Sequence, residues 1–426
     1  MLSVEDNELL CRVGPGTPMG ELYRRYWLPA IMSRELPEPD SPPVRVRILG
    51  EDLVAFRDTN GKVGLLAEKC SHRRASLFYG RNEECGLRCI YHGWKYDVDG
   101  NILDTPAEPA ESMIKHHVKH TAYPCHEVNG LVYTYMGPKE DIPLLPDLPW
   151  LTLPADHVEI TRMMITEGNW LQTQEGNVDS THSAFLHNRA GNRSVVTQYR
   201  TQNNPPRFDL EETRWGVRAI VRYAADHDKT LIRTNTFVMP VYTALPNGPT
   251  LDDGRMDGFN INTEVPIDDY TTRRIFISVQ RSKPLERGYQ GLGQSEYVAP
   301  DGRKLLNRAN DYKIDREKQR TKEIYSGIEG GAPFQDAAMT ETMGPIADRE
   351  HEHLGSTDSQ VVAVRQFYLN AVKAFQRGER PPGLAWDVET DDNRYDDLYL
   401  VSALIDEDRP WKSQIPEVTT HALAVR

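Results

Sequence analysis

Residues 70–94 read CSHRRASLFYGRNEECGLRCIYHGW, with a short Cys/His pair at each end of the stretch. Cys70 and His72 are separated by one residue, and Cys89 and His92 by two. Sixteen residues lie between His72 and Cys89. Two thiolates and two imidazoles are the ligands of a 2Fe-2S cluster in which sulfur holds one iron and nitrogen the other. The imidazoles raise the potential to roughly −150 to +300 mV, from about −400 mV for an all-Cys cluster. The stretch therefore predicts an electron-transferring centre.

The same four residues could instead hold structural zinc. Three details favour the cluster. The second pair continues as Gly93-Trp94, the first continues as Arg73, and the residues between the pairs indicate strands and turns, without the helix that would carry a zinc-binding His pair. On these residues the stretch resembles the Rieske ferredoxin pattern, C-x-H followed by C-x2-H-G-W. One departure is Arg74, where members of that family often have Gly, so the backbone path of the first loop is open.

A second metal site is predicted in the sequence EGNVDSTHSAFLH of residues 175–187, where Asp179 lies 87 residues beyond His92. His182 and His187 are two candidate ligands, because two His and one carboxylate on one face of Fe(II) leave positions open for oxygen. On an ideal helix Asp179 and His182 share a face, whereas His182 and His187 stand about 140° apart. We therefore expect the helix to end or to bulge between the two His residues. The alternative is a polar helix face with solvated His residues.

Together, the two motifs resemble the terminal oxygenase (alpha) subunits of the Rieske non-haem iron oxygenases, in particular the phthalate dioxygenase-like group that lacks a small beta subunit. The resemblance extends from the N-terminal stretch at Asn7 to the Gln335-Asp336-Ala-Ala sequence. It implies an α+β fold. An N-terminal helix and an all-β Rieske 2Fe-2S domain are expected over residues 1–145, and a helix-grip-like catalytic domain with mononuclear iron over residues 146–426.

The resemblance also implies roles for two carboxylates. Asp336 is the implied third iron ligand, although Glu341 and other acids stand close by in the sequence. Asp179 is the implied catalytic bridge between a Rieske-ligand His and His182 across a subunit boundary, since a carboxylate bonded to two ligating imidazoles orients both rings. A closed head-to-tail ring would bring His92 of one subunit near Asp179 of the next. A homotrimer or stacked trimers are therefore expected.

The implied activity is hydroxylation of an aromatic, phthalate- or benzoate-like anionic substrate with O2. Electrons are expected from a separate NAD(P)H-dependent reductase. The implied cofactors are a Rieske 2Fe-2S cluster and a mononuclear Fe(II). Two alternatives stay open: an O-demethylase of an aryl ether acid that uses the same iron chemistry, and a non-catalytic Rieske electron carrier.

An anionic substrate needs Arg or Lys in an otherwise apolar pocket. Arg207 and Arg233 are in the catalytic half of the chain, but we interpret both as solvated surface residues. We expect no nucleic-acid partner, because 63 acidic against 50 basic residues give a net charge of -13.

We expect a cytoplasmic protein without a membrane anchor. No apolar run approaches the roughly 20 residues that span a bilayer, and the acidic beginning of the chain is unlike a signal peptide. The three Cys residues outside the motif are interpreted as free thiols: Cys11, Cys85 and Cys125.

Periodicity predicts the main secondary structure. Alternating apolar and basic residues predict a strand from Val44, and Asp99-Gly100 predicts a tight hairpin. Four strands are predicted in the catalytic half at residues 215–223, 230–238, 259–266 and 275–280. A helix is predicted over residues 361–375, with an apolar stripe that indicates core packing.

Overall fold

The chain forms two compact units in the computed structural model, which describes residues 2–191, 194–248, 256–286, 296–387, 395, 398 and 400–414. The N-terminal unit is Val13–Leu145, and the C-terminal unit combines Met1–Arg12 with Pro146–Arg426. This division differs from the expected domains 1–145 and 146–426 in the first twelve residues. Helix α1 (Val4–Cys11) is bonded within the C-terminal unit, where Asn7 donates to the Ala347 carbonyl at 3.0 Å.

The N-terminal unit is built from short antiparallel strands. Three sheets form, in the strand orders β1-β11-β10, β2-β3-β4-β9 and β5-β6-β7-β8. Its elements are α2 (Pro18–Tyr23), β1 (Trp27–Met32), β2 (Val44–Ile48), β3 (Glu51–Arg57), β4 (Val63–Ala67), β5 (Arg81–Glu83), β6 (Gly86–Arg88), β7 (Lys95–Tyr96), β8 (Ile102–Asp104), α3 (Ile114–His117), β9 (Ala122–Tyr123), β10 (Cys125–Val128) and β11 (Leu131–Tyr135).

Local sequence explains two of these features. In β2, Val46 and Ile48 are buried while Arg45 is exposed, which is the alternation expected of a half-buried strand. Between β7 and β8, Gly100 has φ +80°, a left-handed conformation that Gly adopts at little cost. The predicted strand and the predicted Asp99-Gly100 turn are both confirmed.

The C-terminal unit has one large antiparallel sheet, in the order β12-β18-β17-β16-β15-β14-β13, with β19 also pairing with β15. The strands are β12 (Val158–Thr166), β13 (Arg207–Thr213), β14 (Gly216–Ala224), β15 (Lys229–Val238), β16 (Tyr242–Leu245), β17 (Gly258–Pro266), β18 (Thr272–Gln280) and β19 (Ser402–Asp406). The helices are α4 (Pro149–Thr152), α5 (Trp170–Val178), α6 (Val195–Tyr199), α7 (Arg316–Thr321), α8 (Ala332–Thr342), α9 (Ser359–Gln376) and α10 (Trp411–Gln414).

Helices α5 and α9 pack against this sheet. Helix α9 lies on β13 and β14, and α5 lies on β15, β16 and β17. In α9, Val364, Tyr368 and Val372 are fully buried, as the apolar stripe predicts. The four predicted strands correspond to β14, β15, β17 and β18. The predicted fold class, an all-β domain followed by an α+β domain, is therefore confirmed.

Among the described residues, no helix combines the length and the apolar character that crossing a bilayer requires.

Replacing Gly100 with Ala tests the turn between β7 and β8. An added Cβ would lie 2.1 Å from the His120 carbonyl oxygen, so both the left-handed φ and the contact oppose it. We expect the free energy of unfolding of this unit to fall by about 3 kcal/mol. Gly61 is a matched control, since it has φ +81° and open space around its Cβ position. Gly61→Ala should cost only about 1 kcal/mol, and equal losses would contradict the interpretation. Urea denaturation of the cluster-loaded protein, followed by visible absorbance, measures both.

Candidate metal centres and active-site cavity

Two loops of the N-terminal unit carry the predicted cluster ligands. The first pair lies after β4 and the second between β6 and β7. Each loop is closed by a backbone hydrogen bond: Arg74 N donates to Cys70 O at 2.9 Å, and Gly93 N donates to Cys89 O at 2.9 Å. Arg74 and Gly93 share a left-handed conformation, with φ +63° and +80°. An L-residue pays roughly 1–2 kcal/mol for this conformation. The loop of residues 70–74 therefore has the same backbone conformation as the loop of residues 89–93, although its last residue is Arg instead of Gly.

The four predicted ligands lie close together and largely out of water. Cys70 and Cys89 are buried, and the His72 and His92 rings lie 4.5 Å apart. The His72 Nδ1 atom is buried and has no hydrogen-bond partner. Burial raises the pKa of the Cys89 thiol, so a thiolate there needs a cation beside it. These residues fit a metal centre that takes nitrogen from one side and sulfur from the other.

The residues after His92 pack around the same centre. Trp94 stacks on His72, with ring centroids 4.8 Å apart and an interplanar angle of 4°. The Tyr96 hydroxyl lies 3.0 Å from Cys70 Sγ. The Gly-Trp-x-Tyr continuation of the second pair thus supplies the walls that position the first pair.

A compact set of candidate metal ligands lies in the C-terminal unit. In the part of the chain that the structure describes, it is the sole set of three or more His, Cys, Asp or Glu side chains with ligand atoms all within 4.8 Å of one another.

That set is His182, His187 and Asp336, and the end of α5 positions its first member. The last helical hydrogen bond runs from Asp179 N to Glu175 O, at 3.0 Å. Asp179 Oδ1 then accepts from Thr181 N at 2.7 Å, which is the local bonding by which Asp residues favour turns over helix. The helix therefore ends at Val178, ahead of both His residues rather than between them.

The three side chains present their donor atoms to one point. The two imidazole Nε2 atoms are 3.0 Å apart, and Asp336 Oδ1 lies 3.4 Å from that of His182 and 3.0 Å from that of His187. Adjacent ligands of a six-coordinate ion with bonds of about 2.1 Å stand about 3.0 Å apart. The arrangement thus fits a mononuclear ion bound by two His and one carboxylate on one face.

The charges in this cluster also call for a cation. Burial opposes ionisation of Asp336, but His187 and His182 outweigh it and hold the pKa of this carboxyl well below its usual range. Burial lowers the pKa of His182, but Asp179 and Asp336 outweigh it and raise the pKa to about 10. The carboxylates stabilise positive charge at this point, which a divalent metal would supply in place of a proton.

A cavity of about 430 Å³ opens onto the three donor atoms. It lies within the C-terminal unit, and β14, β15, β17 and β18 form one wall. The lining combines apolar side chains with amides and three arginines, of which Arg189 is exposed. The residues that matter below are Val221, Tyr223, Arg233, Asn235, Asn260, Asn262 and Phe276 from the sheet, and Arg200 from the segment after α6.

Known protein families and relatives match both units of this chain. The family described as Rieske [2Fe-2S] domain matches residues 26–124, and the family described as LigXa C-terminal domain like matches residues 134–422. The phthalate 4,5-dioxygenase oxygenase subunit of Pseudomonas putida is 41% identical over 402 residues, covering 90% of this chain and 89% of the relative. The 3-chlorobenzoate-3,4-dioxygenase oxygenase subunit of Comamonas testosteroni is 36% identical and covers 90% of this chain and 92% of its own. The chain belongs to the Rieske non-haem iron oxygenases.

Solved structures share the fold of this oxygenase. NdmA of Pseudomonas putida CBB5 superposes with a TM-score of 0.59 at 18% identity, covering 87% of this chain and 94% of its own. The oxygenase in the reduced complex with ferredoxin of carbazole 1,9a-dioxygenase gives 0.57 at 20%, covering 89% and 98%. The protein is thus an oxygenase enzyme with a Rieske 2Fe-2S cluster and a mononuclear iron, and neither zinc nor the non-catalytic carrier is favoured.

Gln335 is a residue of this oxygenase to which the sequence analysis assigned no role. Its Nε2 donates to the Ile328 carbonyl at 2.9 Å, so its Oε1 accepts from His187 Nδ1 at 2.8 Å. This bond keeps the proton on Nδ1 and leaves the Nε2 lone pair of His187 facing the other two donor atoms. The sequence shows only that Gln335 stands between apolar Phe334 and Asp336; its burial, which makes a hydrogen-bond partner necessary, is evident only in the structure.

The interpretation of Arg233 as a solvated surface residue is wrong. Arg233 is 8% exposed and lines the cavity. It is on β15, an inner strand of the sheet that pairs with β14, β16 and β19. Its guanidinium donates to Ser402 Oγ at 3.0 Å and Asn247 Oδ1 at 2.7 Å. Burial, followed by the like charge of Arg200, lowers its pKa to about 10. Arg207, by contrast, is exposed, as expected.

Arg200 lies close enough to Arg233 to repel it. Arg200 is half-buried, and burial lowers its pKa while Tyr223 opposes that effect. No carboxylate of the described residues lies within ion-pair distance of Arg200 or Arg233. Arg200 and Arg233 are therefore two positive groups of the cavity lining without a carboxylate at ion-pair distance in the described chain, and the lining carboxylates Asp179 and Asp336 belong to the predicted iron site.

Replacing Gln335 with Ala should weaken iron binding without affecting the cluster. Loss of such an orienting bond to a metal-binding His costs roughly 10- to 100-fold in metal affinity. Competition between the iron-free protein and a chromogenic ferrous chelator measures the affinity, and the visible absorbance of the cluster serves as internal standard. Gln172 is a matched control: it is equally buried and donates to the carbonyls of Thr340 and Gly344 near the end of α8. If Gln172→Ala weakens iron binding as much, the orienting role is refuted.

Proposed function

We propose that this oxygenase hydroxylates an aromatic carboxylate whose acid group binds Arg200 and Arg233 and whose ring faces His182, His187 and Asp336. The observation that carries the proposal is the pair of cavity guanidiniums without a carboxylate partner among the described residues. We further propose that Cys70, His72, Cys89 and His92 hold the Rieske cluster, and that His182, His187 and Asp336 hold the iron.

Electrostatics favours an anionic substrate over a neutral one. A buried charge without a partner carries a desolvation penalty, and two like charges add repulsion. A carboxylate that enters the cavity removes both costs and accepts charge-assisted hydrogen bonds, which are about twice as strong as neutral ones. A neutral ring would leave the arginines uncompensated. The wall therefore selects for acids.

The cavity amides support this selectivity because they are already engaged. Asn235 donates to the Asn177 carbonyl at 3.0 Å, Asn262 donates to Asn177 Oδ1 at 2.9 Å, and Asn260 accepts from Ser278 at 3.2 Å. Amides fixed in this way shape the wall without competing for the acid group. The arginines remain the groups with unused attraction for it.

The names of the relatives agree with an acid substrate. The two described above are named for phthalate and 3-chlorobenzoate, and a third, 30% identical over 391 residues, is named phenoxybenzoate dioxygenase subunit alpha. An O-demethylase of an aryl ether acid is not favoured, because the relative named for demethylation of dehydrodivanillate is 31% identical, below the 41% and 36% of the relatives named for phthalate and 3-chlorobenzoate. Hydroxylation of the ring or of a group attached to it is therefore the proposed reaction.

When bound, the cluster supplies single electrons and the iron supplies the centre at which O2 is reduced. The chain's own residues do the rest. Arg200 and Arg233 bind the acid group and so fix the ring orientation, while Phe276 and Val221 exclude water from around it. Gln335 holds the proton of His187 on Nδ1, away from the reacting ring.

Electrons are proposed to come from a separate NAD(P)H-dependent reductase, and a homotrimer or stacked trimers to bring the cluster of one subunit near the iron of the next. Asp179 is the proposed bridge. Its Oδ2 lies 3.3 Å from His182 Nδ1, and its side chain keeps 24% of its surface exposed, so one edge can accept a further donor.

Replacing Arg233 with Gln tests the substrate class. A hydrogen bond to a charged group contributes about 1.5–3 kcal/mol, so the Kd of phthalate or 3-chlorobenzoate should rise roughly 10- to 100-fold. Calorimetry on the iron-loaded protein measures this without a reductase. Benzamide, which is neutral, should bind the variant and the parent equally.

Arg207→Gln is the matched control, since this arginine is exposed on β13, and its Kd values should equal those of the parent. The acids that bind are then supplied with a reductase, and O2 uptake is compared with product. Unchanged acid binding in Arg233→Gln, or tighter binding of benzamide than of the acids, would contradict the proposed substrate.

Replacing Asp179 with Asn tests the bridge. The amide keeps the size of the side chain and the oxygen that accepts from Thr181 N, but it loses the charge that holds two imidazoles. We expect both metal centres to remain loaded while product formation nearly stops. Metal analysis checks that both centres remain loaded, and single-turnover experiments measure the product. Normal turnover would refute the role of Asp179 as the bridge.

A further inference from the structure

A fully buried ion pair stands behind the three donor atoms. Glu264 on β17 and Arg274 on β18 face each other in the sheet register, and their exposed fractions are 0% and 1%. Arg274 Nε donates to Glu264 Oε1 at 2.9 Å. Buried pairs of this kind do not in general stabilise a fold relative to apolar packing, so their retention points to another role.

The guanidinium reaches both helices that carry the predicted iron site. At the end of α5, Arg274 Nη2 donates to Asn177 Oδ1 at 3.3 Å, and Asn177 in turn donates to Glu264 Oε1 at 2.7 Å. At the start of α8, Arg274 Nη1 donates to the Pro333 carbonyl at 3.4 Å. The guanidinium of an arginine is not deprotonated in proteins, so this group carries a positive charge.

The two oxygens of Asp336 have different neighbours. Oδ1 faces both imidazole Nε2 atoms, as described above. Oδ2 lies 3.9 Å from Arg274 Nη2. A carboxylate whose second oxygen is attracted by a fixed guanidinium offers a metal one oxygen rather than two.

We propose that Arg274 is a positioning residue that holds Oδ2 of Asp336 away from the iron, so that the carboxylate binds through Oδ1 alone and a coordination position stays free. The inference rests on the proposed role of Asp336 as the third ligand. Bidentate carboxylates use two positions of a metal. A free position is what the facial arrangement of two His and one carboxylate provides for O2.

A pair with a purely structural role would also be buried and hydrogen-bonded. The test therefore measures how Asp336 coordinates the iron. The iron-loaded parent and the double variant Glu264→Gln/Arg274→Met are crystallised in the ferrous state. The double variant removes both charges together and avoids an uncompensated carboxylate, so it should fold. In the parent Oδ2 should be unbound. In the variant it should move to bonding distance, about 2.2 Å from the iron.

Ferrous nitrosyl spectroscopy follows the same change in solution. We expect the rhombicity of the high-spin nitrosyl signal to shift in the double variant, because a bidentate carboxylate uses one more of the six coordination positions. Glu264→Gln alone keeps the guanidinium and should give the parent signal. Arg349→Met is the matched control: Arg349 is also fully buried and pairs with Glu175 at 2.8 Å, but its side chain bonds lie away from the three donor atoms. It should lower stability and leave the nitrosyl signal unchanged.

Three outcomes would overturn the proposal: a bidentate Asp336 in the parent, a monodentate one in the double variant, or an equal shift of the nitrosyl signal in Arg349→Met. Asp336→Ala separates this failure from failure of the proposed ligand set. If that variant keeps its mononuclear iron, Asp336 is not a ligand and both proposals fall. If it loses the iron while the double variant stays monodentate, the ligand set stands and only the role of Arg274 falls.

Discussion

The convergence of two imidazoles and one carboxylate on a single point is the constraint that organises the C-terminal unit. Like partial charges on the two Nε2 atoms, 3.0 Å apart, repel unless a cation or a shared proton lies between them. Holding them together requires α5 to stop at Val178, the following turn to be closed by Asp179, and α8 to present Asp336 from a distant part of the chain. Buried polar bonds from Asn177 and Gln335 fix these elements, because helix packing alone leaves side-chain orientation free.

Charge is distributed unevenly around the cavity as a consequence. At one end the carboxylates of Asp179 and Asp336 favour a cation, and along the wall Arg200 and Arg233 favour an anion. Repulsion between the two Nε2 atoms and repulsion between the two arginines are unfavourable terms in this fold, and both diminish when a metal and an acid are present. Sites of this kind are commonly less stable than the scaffold around them. The broad sheet and the buried faces of α5 and α9 supply that scaffold.

The sequence could predict the parts of this protein that depend on local chemistry. The Cys/His spacing, the strands with period two and the α9 stripe each follow from a few adjacent residues, and the structure has the same elements. Asp336 was reachable only by resemblance, because Glu341 and other acids stand nearby. The burial of Arg233 and the role of Gln335 could not be predicted, since each depends on which face of a sheet or helix a distant segment covers. The grouping of α1 with the C-terminal unit depends in the same way on a distant partner, Ala347.

The cavity wall has a further consequence for how this scaffold diversifies. Three pairs of its sheet residues stand two positions apart, Val221 with Tyr223, Arg233 with Asn235, and Asn260 with Asn262, although Thr234 and the adjacent Phe276 and Ile277 also line it. Because successive side chains on a strand point to opposite faces, these positions can change without altering the residues on the other side, except Asn235 and Asn262, which also hold Asn177. A new substrate selectivity can therefore arise by substituting cavity-lining residues at alternate positions of β14, β15 and β17. The backbone hydrogen bonds of the sheet and the residues on its opposite face then stay unchanged. The architecture separates the evolution of selectivity from the maintenance of the fold.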